Sequence, residues 1–151
     1  MQNRKRSIGK LAVILLFSLL LVSCGRNIYP EMPDDAIAFE MGVYTGVDAL
    51  YNTIEYEGRT YIFYGTLGRS IRKKDIDQCL GYLVDRLSDE NDTDTRVYTL
   101  ADDPKHDYLM EYYIGDSLMN QPYFWRAVDT KGNQTGIPKY IDSSGDSYWE
   151  E

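Results

Sequence analysis

Residues 112–120 read YYIGDSLMN, which places Ser117 just behind a run of strand-forming residues. A serine hydroxyl attacks a carbonyl at neutral pH only when a base lies within hydrogen-bond reach. The chain offers one histidine, His106, eleven residues earlier. A thiol nucleophile would have to be Cys79, and no local motif supports it. The 24 acidic residues are too many for composition to single out a glycosidase-type carboxylate pair. One histidine and two cysteines show no zinc-ligand spacing, and the glycines form neither a Walker loop nor a dinucleotide fingerprint. No metal and no cofactor is therefore expected.

The acidic stretch SDENDTDT, residues 88–95, invites a calcium reading. An EF-hand loop needs glycine at its sixth position and glutamate at its twelfth. Counted from Asp89 these positions hold Asp94 and Leu100, so a solvated acidic loop is expected. Residues Gly115-Asp116-Ser117-Leu118 resemble the serine block of the GDSL hydrolases. That family places the block near the start of a doubly wound α/β domain and draws its base from a C-terminal Asp-x-x-His. Nothing of that kind follows Ser117, so these residues read as a turn.

The other end of the chain carries more information. Arg4, Lys5, Arg6 and Lys10 precede an uncharged run from Leu11 to Val22, the layout of a secretory signal. Twelve residues make about 18 Å of helix, short of the roughly 30 Å a membrane span requires. Leu21-Val22-Ser23-Cys24 then resembles the lipobox of bacterial lipoproteins. The resemblance covers residues 1–24 and implies that Cys24 receives a diacylglyceryl group, with acyl chains such as palmitate, and becomes the new N-terminus. It also implies a protein held at the cell membrane by its lipid and facing away from the cytoplasm. Two acyl chains give an anchorage that one does not.

All 24 acidic residues but only 12 of the 16 basic ones follow Cys24, so the mature chain carries about −12. Such a surface disfavours a sequence-independent nucleic-acid binder and suits a basic partner or a cationic ligand. With Cys24 lipidated, Cys79 has no disulfide partner and reads as a small buried residue. Residues 24–35, holding two prolines and no apolar period, read as the lipidated cysteine and a tether. Residues 36–151 suffice for a single domain with its own core.

Within that domain, residues 54–56 and 60–66 flank Glu57-Gly58 as a hairpin, and residues 96–100, 108–113 and 123–129 read as further strands. From Asp75 to Leu87 the apolar residues Ile76, Cys79, Leu80, Leu83, Val84 and Leu87 recur three and four apart, a helical spacing opened by Asp75 as a cap. Gly81 inside it would permit close approach to a sheet. A loose tail or one late edge strand is expected beyond Lys131. The expected fold is therefore α+β: about five mostly antiparallel strands with one amphipathic helix packed on a face.

Fourteen tyrosines and two tryptophans remain to be placed. Tyrosine suits half-buried sheet faces and binding surfaces alike, since its ring buries while its hydroxyl hydrogen-bonds. Tyr61, Phe63, Tyr112, Tyr123 and Trp125 are the candidate platform for an envelope protein or glycan. The leading expectation is a lipid-anchored, non-enzymatic binding protein of the bacterial cell envelope. The competing readings are a small envelope hydrolase working through carboxylates and an acidic protective inhibitor of a basic partner.

Overall fold

The computed structural model describes residues 28–46, 49–84, 93–115, 120–133 and 136–150. Their strands are β1 (Ile37–Glu40), β2 (Gly42–Thr45), β3 (Leu50–Tyr56), β4 (Arg59–Leu67), β5 (Ile76–Val84), β6 (Thr95–Leu100), β7 (Tyr108–Tyr113), β8 (Tyr123–Ala127) and β9 (Ile141–Ser143). Two single 3-10 turns, Lys73–Asp75 and Val128–Thr130, are the helical elements among the described residues. The domain is thus almost wholly sheet, and the expected α+β fold with a packed amphipathic helix is corrected.

The segment expected to be that helix is β5. Its apolar residues go alternately to two different cores: Ile76 and Cys79 to one, Leu80 and Leu83 to the other. Register shifts between Ile76 and Cys79 and between Cys79 and Gly81 interrupt the two-residue alternation. A doubly buried strand broken by bulges therefore reproduces the three-and-four spacing of a helix face. Asp75 does accept a backbone N–H, but from Arg72 at 2.9 Å, which closes a turn into the strand.

The strands run in the order β1-β5-β6-β7-β8-β4-β3-β2, with β9 added to β4. β1 and β2 stand at opposite ends of that order yet are separated in sequence only by Met41. One continuous stretch thus pairs parallel with β5 through residues 37–40 and antiparallel with β3 through residues 42–45. The same piece of chain forms both edges, and the sheet wraps into a nearly closed barrel. Such near-closure shortens the free edges to the four-residue β1 and β2. Gly81 does permit close approach, here of strand β1, since a Cβ at that position would lie 1.9 Å from the Ile37 carbonyl oxygen.

Two cores follow from the closure. Phe39, Ile54, Tyr61, Leu83, Val97, Leu109 and Trp125 come from strands all round the wrap and fill its interior. Tyr64, Ile76, Tyr98, Met110 and Phe124 face outward on β4 to β8. Three non-sheet segments cover them: Ile28, Tyr29 and Met32 before β1, Ile71 between β4 and β5, and Tyr140 and Trp149 flanking β9. Among the described residues both cores draw on residues 28–149, so a chain from residue 25 onward contains every core residue described. Ile28, Tyr29 and Met32 of the segment expected to be a tether pack on the domain, where Tyr29 stacks on Tyr112 at 3.9 Å.

β4 shows how the late strand is held. A bulge between Phe63 and Gly65 breaks its ladder with β8 and leaves carbonyls to be satisfied elsewhere. The Trp149 indole donates to the Phe63 carbonyl at 2.8 Å, and the Ser144 backbone N–H to that of Tyr64 at 3.0 Å. At Gly65 a side chain would strike Asp142 of β9, its Cβ falling 1.9 Å from the carbonyl oxygen. The Glu57-Gly58 hairpin turn has φ of 50° and 74°, the paired positive values of a tight type I′ connection.

Candidate functional site

Closure of the sheet decides where the five aromatic candidates lie. Tyr61, Phe63 and Trp125 point into the barrel interior, with Tyr61 and Trp125 buried. Tyr112 faces outward and is half-covered by Tyr29. Tyr123 is exposed, and its ring meets that of Phe63 edge-on at 6.0 Å. The five are thus divided between the two faces of the sheet. Cys24 lies outside the described residues.

Inside the barrel, Glu111 is the notable polar group. Its carboxylate accepts from the Trp125 indole N–H at 2.9 Å. Burial raises its pKa above the ordinary carboxylate range, and the indole hydrogen bond draws it partly back. Among the described residues no group of three or more His, Cys, Asp and Glu side chains is arranged to hold a metal ion.

Ser117 and residues 88–92 of the acidic stretch lie outside the described residues. His106 is described, and its backbone is bound into a turn with φ of 52°. The Tyr61 hydroxyl donates to its carbonyl at 2.6 Å, as does Arg59 at 3.0 Å. Arg59 also pairs with Asp107 at 2.9 Å and Asp129 at 2.7 Å, and its hydrogen bond lowers the pKa of the Asp129 carboxyl. The His106 ring sits 3.2 Å from Glu57 and 5.6 Å, centroid to centroid, from Tyr56. The histidine thus belongs to a network joining the 57–58 turn to the loop before β7.

A different tyrosine cluster forms a surface site. Tyr44 on β2 and Tyr51 on β3 are cross-strand partners, and Tyr148 from the C-terminal segment meets both edge-on, at 5.7 and 5.2 Å. Lys131 lies over the Tyr148 ring, its Nζ 4.4 Å from the centroid. The Tyr51 hydroxyl is 2.9 Å from Ser147 Oγ. Together with Gly46 and Glu150 these residues line an open groove of about 420 Å³. Gly46 packs closely there, since a Cβ would come within 2.6 Å of the Tyr51 ring and displace it.

Tyr44 is 38 % exposed, whereas Tyr148 is buried, so one ring is presented and the other braces it. Burial raises the pKa of the Tyr148 hydroxyl above the ordinary tyrosine value. Val43 and Leu50, 61 % and 71 % exposed, stand on the same hairpin but next to Tyr44 and Tyr51 in sequence, and so on its other face. Sequence reading missed this site because Tyr51 and Tyr148 are nearly a hundred residues apart. The local signal was Tyr44 and Tyr51 at equal distance either side of residues 47–48.

No helix among the described residues is long and apolar enough to cross a membrane. Set against known proteins, the chain matches no family model, and no curated protein or solved structure is significantly similar to it.

Proposed function

We propose that this chain is a lipid-anchored extracytoplasmic binding protein of the bacterial envelope, non-enzymatic, which engages an envelope glycan through the Tyr44–Tyr51–Tyr148 groove. The observation that carries the binding reading is the composition of that groove. Aromatic faces take the apolar C–H face of a sugar ring, while the tyrosine hydroxyls, Ser147, Lys131 and Glu150 supply donors and acceptors for its hydroxyls. The anchoring reading rests on the basic and apolar leader and on Leu21-Val22-Ser23-Cys24. Ile28 already packs on the domain, so the four peptide units from Cys24 to it reach about 14 Å at full extension. That keeps the barrel close to the lipid surface, shorter in reach than a free tether through residue 35.

The test is retention of envelope material by the immobilised chain from residue 25 onward, compared with its Tyr44→Ala/Lys131→Ala variant. Both side chains are surface groups, so the fold should persist. Loss of one stacking ring and one donor should reduce retention roughly tenfold, with little change between low and high salt. Glycosidase treatment of the eluate should remove the captured material. Capture abolished by protease and by salt would identify a protein partner instead. Equal retention by parent and variant would overturn the groove as the site.

A further inference from the structure

The connection from β4 to β5 and the segment leading into β9 meet beside the end of β6. Arg69, Arg72 and Lys74 from the first and Lys139 from the second line an open groove of about 490 Å³ floored by Pro138 and Tyr140. Two carboxylates also line it, and of these only Asp75 is paired with a cation. Asp75 accepts from Arg72 Nε at 3.1 Å and from its backbone N–H at 2.9 Å, and Asp102 accepts from the Tyr140 hydroxyl. Arg69, Lys74 and Lys139 are exposed and form no ion pair among the described residues. By contrast Arg59 holds two carboxylates, and buried Arg126 donates to Thr130 and to the Asn133 carbonyl.

This concentration is unusual for the chain. With Lys73, five of the twelve basic residues after Cys24 gather here, in a mature chain of about −12. We propose that the groove binds a phosphate group, carried either by an anionic lipid headgroup or by a small free solute. Three cations without an ion pair among the described residues outnumber the one lining carboxylate, Asp102, that no cation matches, and the Arg69 fork suits phosphate oxygens. The overall acidity repels an extended polyanion. A single phosphate within a Debye length of about 8 Å is governed instead by the local cations. Ile137, 46 % exposed, stands on the same rim and offers an apolar contact beside the charges.

This site is separate from the tyrosine groove, and its test needs neither that groove nor lipidation. The chain from residue 25 onward is mixed with vesicles of phosphatidylcholine, with vesicles containing added phosphatidylglycerol, and with inorganic phosphate followed by NMR. Co-sedimentation with the phosphatidylglycerol vesicles alone would establish the headgroup as the source. Saturable shifts at Lys139 and Arg69 with inorganic phosphate would establish the free anion. In either case R69Q/K74Q/K139Q should weaken binding by roughly fivefold for each cation removed, while K105Q, outside the groove, should not. Lys139→Glu supplies an independent single variant, and buried Cys79, the only thiol after residue 24, reports folding by remaining unlabelled. Absence of binding to both probes, or a triple variant binding like its parent while folded, would overturn the proposal.

Discussion

Gly81→Val is expected to destabilise the domain by about 3 kcal/mol or more, a large part of the roughly 5–15 kcal/mol typical of a folded domain. Its Cβ would fall 1.9 Å from the Ile37 carbonyl oxygen and 2.6 Å from the Ile37 nitrogen. Both are backbone atoms and cannot turn aside as a side chain would. Relief requires β1 to leave β5, and with it goes Phe39, 2 % exposed in the barrel interior. Withdrawing that ring alone removes roughly 1.5–3 kcal/mol of burial. Gly136→Ala, where nothing lies within 4 Å of the added carbon, is the matched control and should change stability by less than about 0.5 kcal/mol. Urea denaturation midpoints decide it. If Gly81→Val unfolds at the same urea concentration as the parent, β1 does not close the barrel.

Trp125→Ala should cost about 3–5 kcal/mol, because it empties the interior between Phe63 and Leu109, its partners on either side. Trp125→Phe separates packing from the hydrogen bond to Glu111. The Glu111 carboxyl is already raised by burial, and losing its indole donor raises it further. A raised folded-state pKa means that the folded protein holds the proton more tightly than the unfolded chain. Stability from this group is therefore full below the unfolded value of about 4.3 and is lost as pH rises through the folded value. The cost of Trp125→Phe should consequently be larger at neutral pH than in acid. Glu111→Gln retains an acceptor and carries no charge, so it should be more stable than the parent at neutral pH and match it in acid. Combined with Glu111→Gln, Trp125→Phe should lose its extra pH dependence. A Trp125→Phe cost independent of pH in the presence of Glu111 would show that the buried carboxyl does not titrate with folding.

How much of this was legible depends on the range over which each feature is determined. The aromatic and β-branched runs now seen within β3, β4, β6, β7 and β8 announce themselves locally, as does the Glu57-Gly58 turn. β5 does not, because its two bulges convert alternation into a helical spacing. β1 and β2 are four residues each, and Met41-Gly42 interrupts their alternation, so neither stands out from loop. Yet they determine whether the sheet face bearing Tyr61, Phe63 and Trp125 is an open platform or a lumen. That decision is made by pairings between residues 37–45 and strands on both sides of the sheet. The tyrosine groove has the same character, since it exists only where the C-terminal segment returns to the β2–β3 hairpin. The basic groove was hidden by averaging, as the net charge of the mature chain masks five cations brought together by two connections.

The proposed location depends on Cys24, and its acylation is the most direct measurement. The full chain is expressed in a bacterial host with labelled palmitate beside Cys24→Ser, and the products are fractionated and weighed. Label and diacylglyceryl mass are expected on a chain beginning at Cys24, retained with membranes, and both should be lost in Cys24→Ser. An unlabelled parent, cleaved elsewhere and recovered free of membranes, would contradict it.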